Sequence, residues 1–180
     1  MSKLQITTPK GELMWATING QGKTDLNGRN IYTIDVVATA DDAAPLIAKL
    51  DEFWEENKPK GAKAPKTTGY KEMDDGRIKF TLKTSTTYPS GDQKEIKIYD
   101  AKAQQVRLDD KIGNGSTGRA SGIAAIYDGG VAARGVTLYL DAVQVINLLR
   151  YTGASSDFTE EDGDFDGAEA NDGFVAEELV

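Results

Sequence analysis

The chain has 180 residues, 21 Lys and Arg against 29 Asp and Glu, and a formal net charge of −8. It contains neither Cys nor His, which excludes disulfides, thiolate metal sites and the usual general base near neutral pH. No apolar run approaches the roughly 20 residues of a membrane span, and the first ten residues, MSKLQITTPK, lack a signal-peptide core, so a soluble, cytoplasmic protein is expected.

Residues 11–18, GELMWATI, read as a short strand that places Trp15 among apolar neighbours. A turn-rich stretch, NGQGKTDLNG (19–28), follows, and then RNIYTIDVVA (29–38) alternates. Tyr32, Ile34, Val36 and Ala38 share one face while Thr33 and Asp35 share the other, the pattern of a half-buried strand. Residues 11–38 therefore predict a hairpin with a long loop. Asp41 and Asp42 are suited to cap a helix, and Pro45 to its first turn. Leu46, Ile47, Leu50, Phe53 and Trp54 recur at helical spacing through about Asn57, which makes Phe53 and Trp54 candidate core residues.

The composition then changes. KPKGAKAPKTTGYK (58–71) carries Lys58, Lys60, Lys63, Lys66 and Lys71 with Tyr70 and almost nothing apolar, and predicts a mobile basic loop. GRIKFTLKTSTTY (76–88) is the plainest strand: Ile78, Phe80 and Leu82 inward, Arg77, Lys79, Thr81 and Lys83 outward. After a YPSGDQ turn, KEIKIYD (94–100) is expected to return against it as a hairpin, with Ile96 and Ile98 inward and Lys97 and Tyr99 outward. GRASGIAAIY (118–127) reads as a strand of small residues where backbones approach closely. RGVTLYLDAVQVINLL (134–149) closes the body; Val136, Leu138 and Leu140 share a face, and past Asp141 the pattern slips to Val143 and Val145. One bulge would explain the slip.

The end of the chain is of another kind. Residues 157–180 hold ten carboxylates and no Lys or Arg, so the 21 basic residues of 1–156 face 19 acidic ones, about +2. Low hydrophobicity and high like charge predict a disordered acidic tail. Phe158, Phe165 and Phe174 punctuate it among Asp162, Asp164 and Asp166. As a bland device it solubilises; as a functional one it docks on partners or competes with nucleic acid for a basic groove. The layout thus divides into a mainly β domain over 1–152 and a tail over 153–180. Six or so strands with one helix between the second and third fit an OB-fold-like barrel of five to six strands, with a β-sandwich as the alternative.

Three kinds of motif suggest chemistry and fail on the residues or the context that the chemistry needs. GNGSTGRA (113–120) looks like a phosphate-binding loop, but Arg119 and Ala120 stand where Lys and Ser or Thr are needed. DGDFDG (162–167) begins like a calcium loop, but its twelfth position is Gly173 rather than Glu. The pairs Asp74–Asp75 and Asp109–Asp110 sit in turn contexts, where the side chain serves the turn. No cofactor, metal or enzymatic activity is expected. What remains is the basic and aromatic set: Lys58, Lys60, Lys63, Lys66, Tyr70 and Lys71 in the loop, and Arg77, Lys79, Lys83, Lys97 and Tyr99 on an outer strand face. Cations tracking phosphates beside flat rings on which any base stacks are what single-stranded nucleic acid requires. An ordinary Lys-rich surface is the plain alternative.

With those residues in place, the chain resembles the bacteriophage replication-type single-stranded DNA-binding proteins. The resemblance is sharpest from Ile96 onward: IKIYDAKAQ, the Gly-rich loop at 113–118, VTLYLDAVQVINLL, then Tyr151, Gly153 and the acidic end. It implies an OB-fold and sequence-tolerant, non-enzymatic coating of single-stranded DNA during phage replication or recombination in the infected cell's cytoplasm. It also implies self-association and tail contacts with replication proteins such as a polymerase or helicase-primase. In several members the chain ends on an aromatic residue, whereas here EELV follows Phe174. The rival readings are an interaction module or nucleic-acid mimic acting through the tail, and a Mg-dependent nuclease, for which a carboxylate cluster is lacking.

Overall fold

Alternation of apolar residues builds the sheet outward from two strands. A computed structural model describes residues 2–130 and 132–150. The strands are β1 (Lys3–Thr7), β2 (Gly11–Thr17), β3 (Lys23–Thr24), β4 (Asn30–Ala38), β5 (Tyr70–Glu72) and β6 (Ile78–Ser85), followed by β7 (Lys97–Tyr99), β8 (Gln105–Val106), β9 (Ser116–Asp128) and β10 (Arg134–Asn147), with helix α1 (Ala40–Asn57) after β4. β4 and β6 pair antiparallel from Ile31–Ser85 to Ala38–Ile78, and their alternating sets Tyr32, Ile34, Val36 and Ile78, Phe80, Leu82 are buried. β2 joins the other edge of β4, and β9 joins β2. β9 runs antiparallel to β10, and β10 meets β6 in parallel at Tyr139 and Lys83. Among the described residues, β2, β4, β6, β10 and β9 thereby close a five-stranded ring, the OB-like barrel expected from the sequence.

The helix obeys its sequence with two corrections. Thr39, not Asp41 or Asp42, is the N-cap: its Oγ1 accepts from the Asp42 N–H at 3.2 Å. The two aspartates lie in the first turn, where negative charge suits the helix dipole. Pro45 is a turn further in than expected; having no N–H, it leaves the Asp41 carbonyl without that helical partner. The helix stops at Asn57 because Lys58 precedes Pro59 and takes ψ 146°, the extended conformation that a following proline imposes. Leu46, Leu50, Phe53 and Trp54 are buried in the same core as the barrel strands.

Close backbone approach explains the small residues of β9. A Cβ on Gly122 would stand 1.8 Å from the Tyr139 carbonyl oxygen, and one on Gly118 would stand 2.1 Å from that of Gln144. The slip in β10 is also real: pairing with β9 shifts between Leu140 and Ala142, so Asp141 is the extra residue and Val143 and Val145 return to the core.

Two expectations are overturned. Residues 76–99 do not form one hairpin. The turn is closed by Tyr88 N–H donating to the Asp92 carbonyl, a Thr87–Gln93 bridge and Lys94 N–H donating to the Thr86 carbonyl, and the pairing goes no further; β7 then lies parallel on β10 and antiparallel to β8. The free edge of β6 is already occupied by β5 and β10, so β7 has no place there. Nor is the 58–71 segment loose: Thr67 accepts from Val136 N–H, and Lys66 N–H donates to the Arg134 carbonyl. β1 was not foreseen; it pairs with β9 and buries Ile6. Among the described residues no helix is long and apolar enough to cross a membrane. The boundary at 152 and the tail residues Phe158, Asp162, Asp164, Phe165, Asp166 and Phe174 lie outside the described residues.

Gly122→Ala is expected to destabilise the fold by about 1–3 kcal/mol through overpacking, lowering the melting temperature by about 2–4 °C per kcal/mol. An unchanged melting temperature would show that β9 and β10 separate at no cost.

Candidate nucleic-acid interface

The shared edge of β6 produces the most distinctive concavity. β5 takes the edge at Ile78–Phe80 and β10 takes it at Lys83; between them the strands part and a cavity of about 410 Å³ opens. Its lining includes Lys66, Lys71, Lys79 and Lys83, with Tyr70 and Leu138. Lys71 and Lys79 are direct cross-strand partners, a like-charged pair that costs stability unless an anion or solvent screens it. Loop 66–69 is held against β10 by Thr67, whose Oγ1 donates to the Val136 carbonyl at 2.9 Å. That approach requires Gly135, where a Cβ would meet the Thr67 carbonyl oxygen at 2.6 Å.

The predicted residues separate into groups. Lys66, Lys71, Lys79 and Lys83 come together in the groove. Lys60 and Lys63 are exposed on the preceding loop, and the Lys63 carbonyl accepts from the Trp54 indole. Lys58 is paired with Glu55 at 2.7 Å. Arg77 is engaged by Glu12 and Asp75, each at 2.8 Å; the hydrogen bonds it donates to Glu12 and then to Asp75 raise its pKa, and those that Asp75 accepts from the Arg77 backbone N–H and guanidinium lower that of Asp75. Lys97 and Tyr99 belong to β7, beyond β10, rather than to a strand beside Lys79.

Tyr70 is tied into the structure. Its ring meets Phe80 edge-on at 6.5 Å, and its hydroxyl donates to Asp51 Oδ1 at 2.9 Å. Tyr139 has the opposite character. It is 48% exposed, in register with Lys83 on one side and with the exposed Ile123 on the other. The alternation of VTLYLD pointed it outward all along, but only the β6–β10 pairing puts it beside a lysine. Asp35 shares the outer face and accepts from Thr81 Oγ1 at 2.7 Å. Among the described residues no group of three or more Asp or Glu is placed to hold a metal ion. Asp75 serves a turn and Arg77, Asp109 pairs with Arg107, and Asp110 with Arg150.

No protein-family model matches the chain, and no curated protein matches it. Solved structures do match. The structural neighbours are bacteriophage single-stranded DNA-binding proteins. One is gp2.5, a single-stranded DNA-binding protein encoded by bacteriophage T7, with a TM-score of 0.65 and 19% identity over 92% of this chain and 100% of that one. Another is the single-stranded DNA-binding protein of bacteriophage Enc34 in complex with ssDNA, with a TM-score of 0.64 and 12% identity over 83% of this chain and 89% of that one. A further structure of the Enc34 protein aligns at a TM-score of 0.59 and 13% identity over 93% of this chain and 90% of that one. At such identities the likeness is one of fold, and the chain shares it over nearly the whole described body.

Burial, then the bond to Asp51 and its charge, push the Tyr70 phenol up from its ordinary value of 10 to about 12. The folded state therefore keeps a proton that the unfolded state loses, so this stabilisation is intact below about pH 10 and disappears as pH rises through about 12. Between those limits wild-type stability should fall more steeply than that of Tyr70→Phe, measured by urea unfolding at stepped pH. Parallel curves would remove Tyr70 from the linkage.

Proposed function

We propose that this chain binds single-stranded DNA without sequence preference, as a non-enzymatic coating and protecting protein of phage replication or recombination in the infected cell. The observation that carries this reading is the lysine groove at the β5–β6–β10 junction. It lies on a barrel whose fold is shared with a protein captured on ssDNA. Lys66, Lys71, Lys79 and Lys83 supply point charges for phosphates, and the exposed ring of Tyr139 beside Lys83 supplies a surface on which any base can stack. Ammonium groups carry no fixed fork of donors, so they read backbone charge rather than base edges.

The tail enters this proposal through charge alone. Ten carboxylates and no cations in 157–180, against a body of about +2, support a segment that competes with DNA for the groove and that contacts replication proteins. Tethering supports the competition, since an effective concentration on the order of millimolar makes even weak contacts count.

Replacing Lys79 and Lys83 together with Ala should weaken binding alike for oligonucleotides of different sequence. The slope of log affinity against log salt should fall by about 0.7 for each lost phosphate contact on a single strand. An unchanged slope would remove the groove from the binding surface.

Deleting 157–180 should tighten binding, most at low salt where attraction between tail and groove is least screened. Equal affinities of the full-length and truncated proteins at two salt concentrations would show that the tail does not compete.

A further inference from the structure

Trp15 is a large hydrophobic residue whose position the fold does not require. The sequence places it among apolar neighbours, yet it is 66% exposed and its backbone lies at φ 50°. A left-handed conformation at a bulky residue persists only where the surroundings hold it, and such strain collects at functional positions. Here the surroundings are specific. Pairing of β2 with β4 breaks between Met14 and Thr17, so Trp15 and Ala16 bulge from the strand. The Trp15 N–H donates to Asn114 Oδ1 at 2.8 Å. The loop bearing Asn114 is anchored in turn: Asn19 Nδ2 donates to the carbonyls of Leu108 and Asp110, and Gly113 N–H to that of Leu149.

The result is an indole held at the edge of a second cavity of about 370 Å³, lined also by Thr17, Lys23, Lys111 and Ile112. This cavity is separate from the lysine groove but connected to it across the barrel's outer face. Thr17 pairs with Thr33, and Thr33 pairs with Lys83, so two strand spacings, about 10 Å, separate the two sites at that level.

We propose that Trp15 is a base-stacking subsite for the same DNA strand, with Lys23 beside a flanking phosphate. A strand leaving the groove at Lys83 would cross Thr33 and reach the indole within a few nucleotides. The proposal rests on the single-stranded DNA reading of the groove.

The test is a titration of labelled oligothymidylates of increasing length against wild type, Trp15→Phe, Trp15→Gly and Lys23→Ala. Glycine suits φ 50°, so Trp15→Gly should melt no lower than wild type while lacking the ring. Short oligonucleotides should bind all four proteins alike. Beyond the length that spans both sites, Trp15→Gly should bind roughly 5- to 150-fold more weakly than wild type, and Trp15→Phe should retain most of the gain. Lys23→Ala should lower the salt slope by about 0.7 for the long oligonucleotides only. Equal affinity of wild type and Trp15→Gly at every length would overturn the subsite and leave the groove reading standing. An equal loss at every length would overturn its separateness from the groove. No binding by wild type at any length would sink the groove reading, and this inference with it.

Discussion

The single parallel junction between β6 and β10, at Lys83 and Tyr139, is the contact on which the architecture turns. Without it the ring strands would form an open antiparallel ribbon running β10–β9–β2–β4–β6. With it the ribbon closes, and Phe80, Leu82, Leu138 and Val143 become interior residues of one barrel. The junction is short because β5 already holds the other end of the same edge of β6. Closure and concavity therefore have one cause: two strands share one edge and diverge where neither can pair. Three of the lysines that line the gap, Lys71, Lys79 and Lys83, sit on outward positions of strands whose inward positions are fixed by the core, and Lys66 lies on the loop held against β10.

Five of the arginines have a different employment from the groove lysines. Arg29, Arg77, Arg107, Arg134 and Arg150 are each paired with an aspartate or glutamate within their own turns or across strands. Each guanidinium matches a carboxylate with a planar fork of donors, which suits a fixed local structure. Exposed pairs of this kind contribute little to stability individually, but they keep acidic turn residues such as Asp75 and Asp128 neutralised near the body. The groove is left to lysines, whose hydrated charges follow an irregular anionic backbone more readily than a fork does.

Much of this was legible in the sequence, for physical reasons that also mark where legibility ended. β4, β6 and α1 could be read because their patterns are long enough to show a period, and the bulge at Asp141 because a core-facing strand must bring Val143 back inside. β1 could not: Leu4 and Ile6 are its only apolar residues, and their role depends on β9 lying beside them. The position of β7 was misread because adjacency in sequence suggests a hairpin, while the occupied edge of β6 forbids one. Of the proposed site, the lysine-rich segment was evident, but its convergence into a groove depends on pairing between residues far apart in the chain. Arg77 looked like a free outward cation until Glu12, on another strand, was brought to it. Trp15 read as an ordinary strand residue among apolar neighbours because nothing in GELMWATI announces a left-handed residue.

The lengths of the peripheral strands have a consequence for crowding. β3 and β8 have two residues each and β5 three, and β1 extends for five. A foreign strand adding to such edges finds too few unpaired amides and carbonyls to align on, which is how natural sheets avoid uncontrolled fibril growth. Copies brought together at high density would therefore meet through side chains rather than by merging their sheets, and such meetings remain reversible.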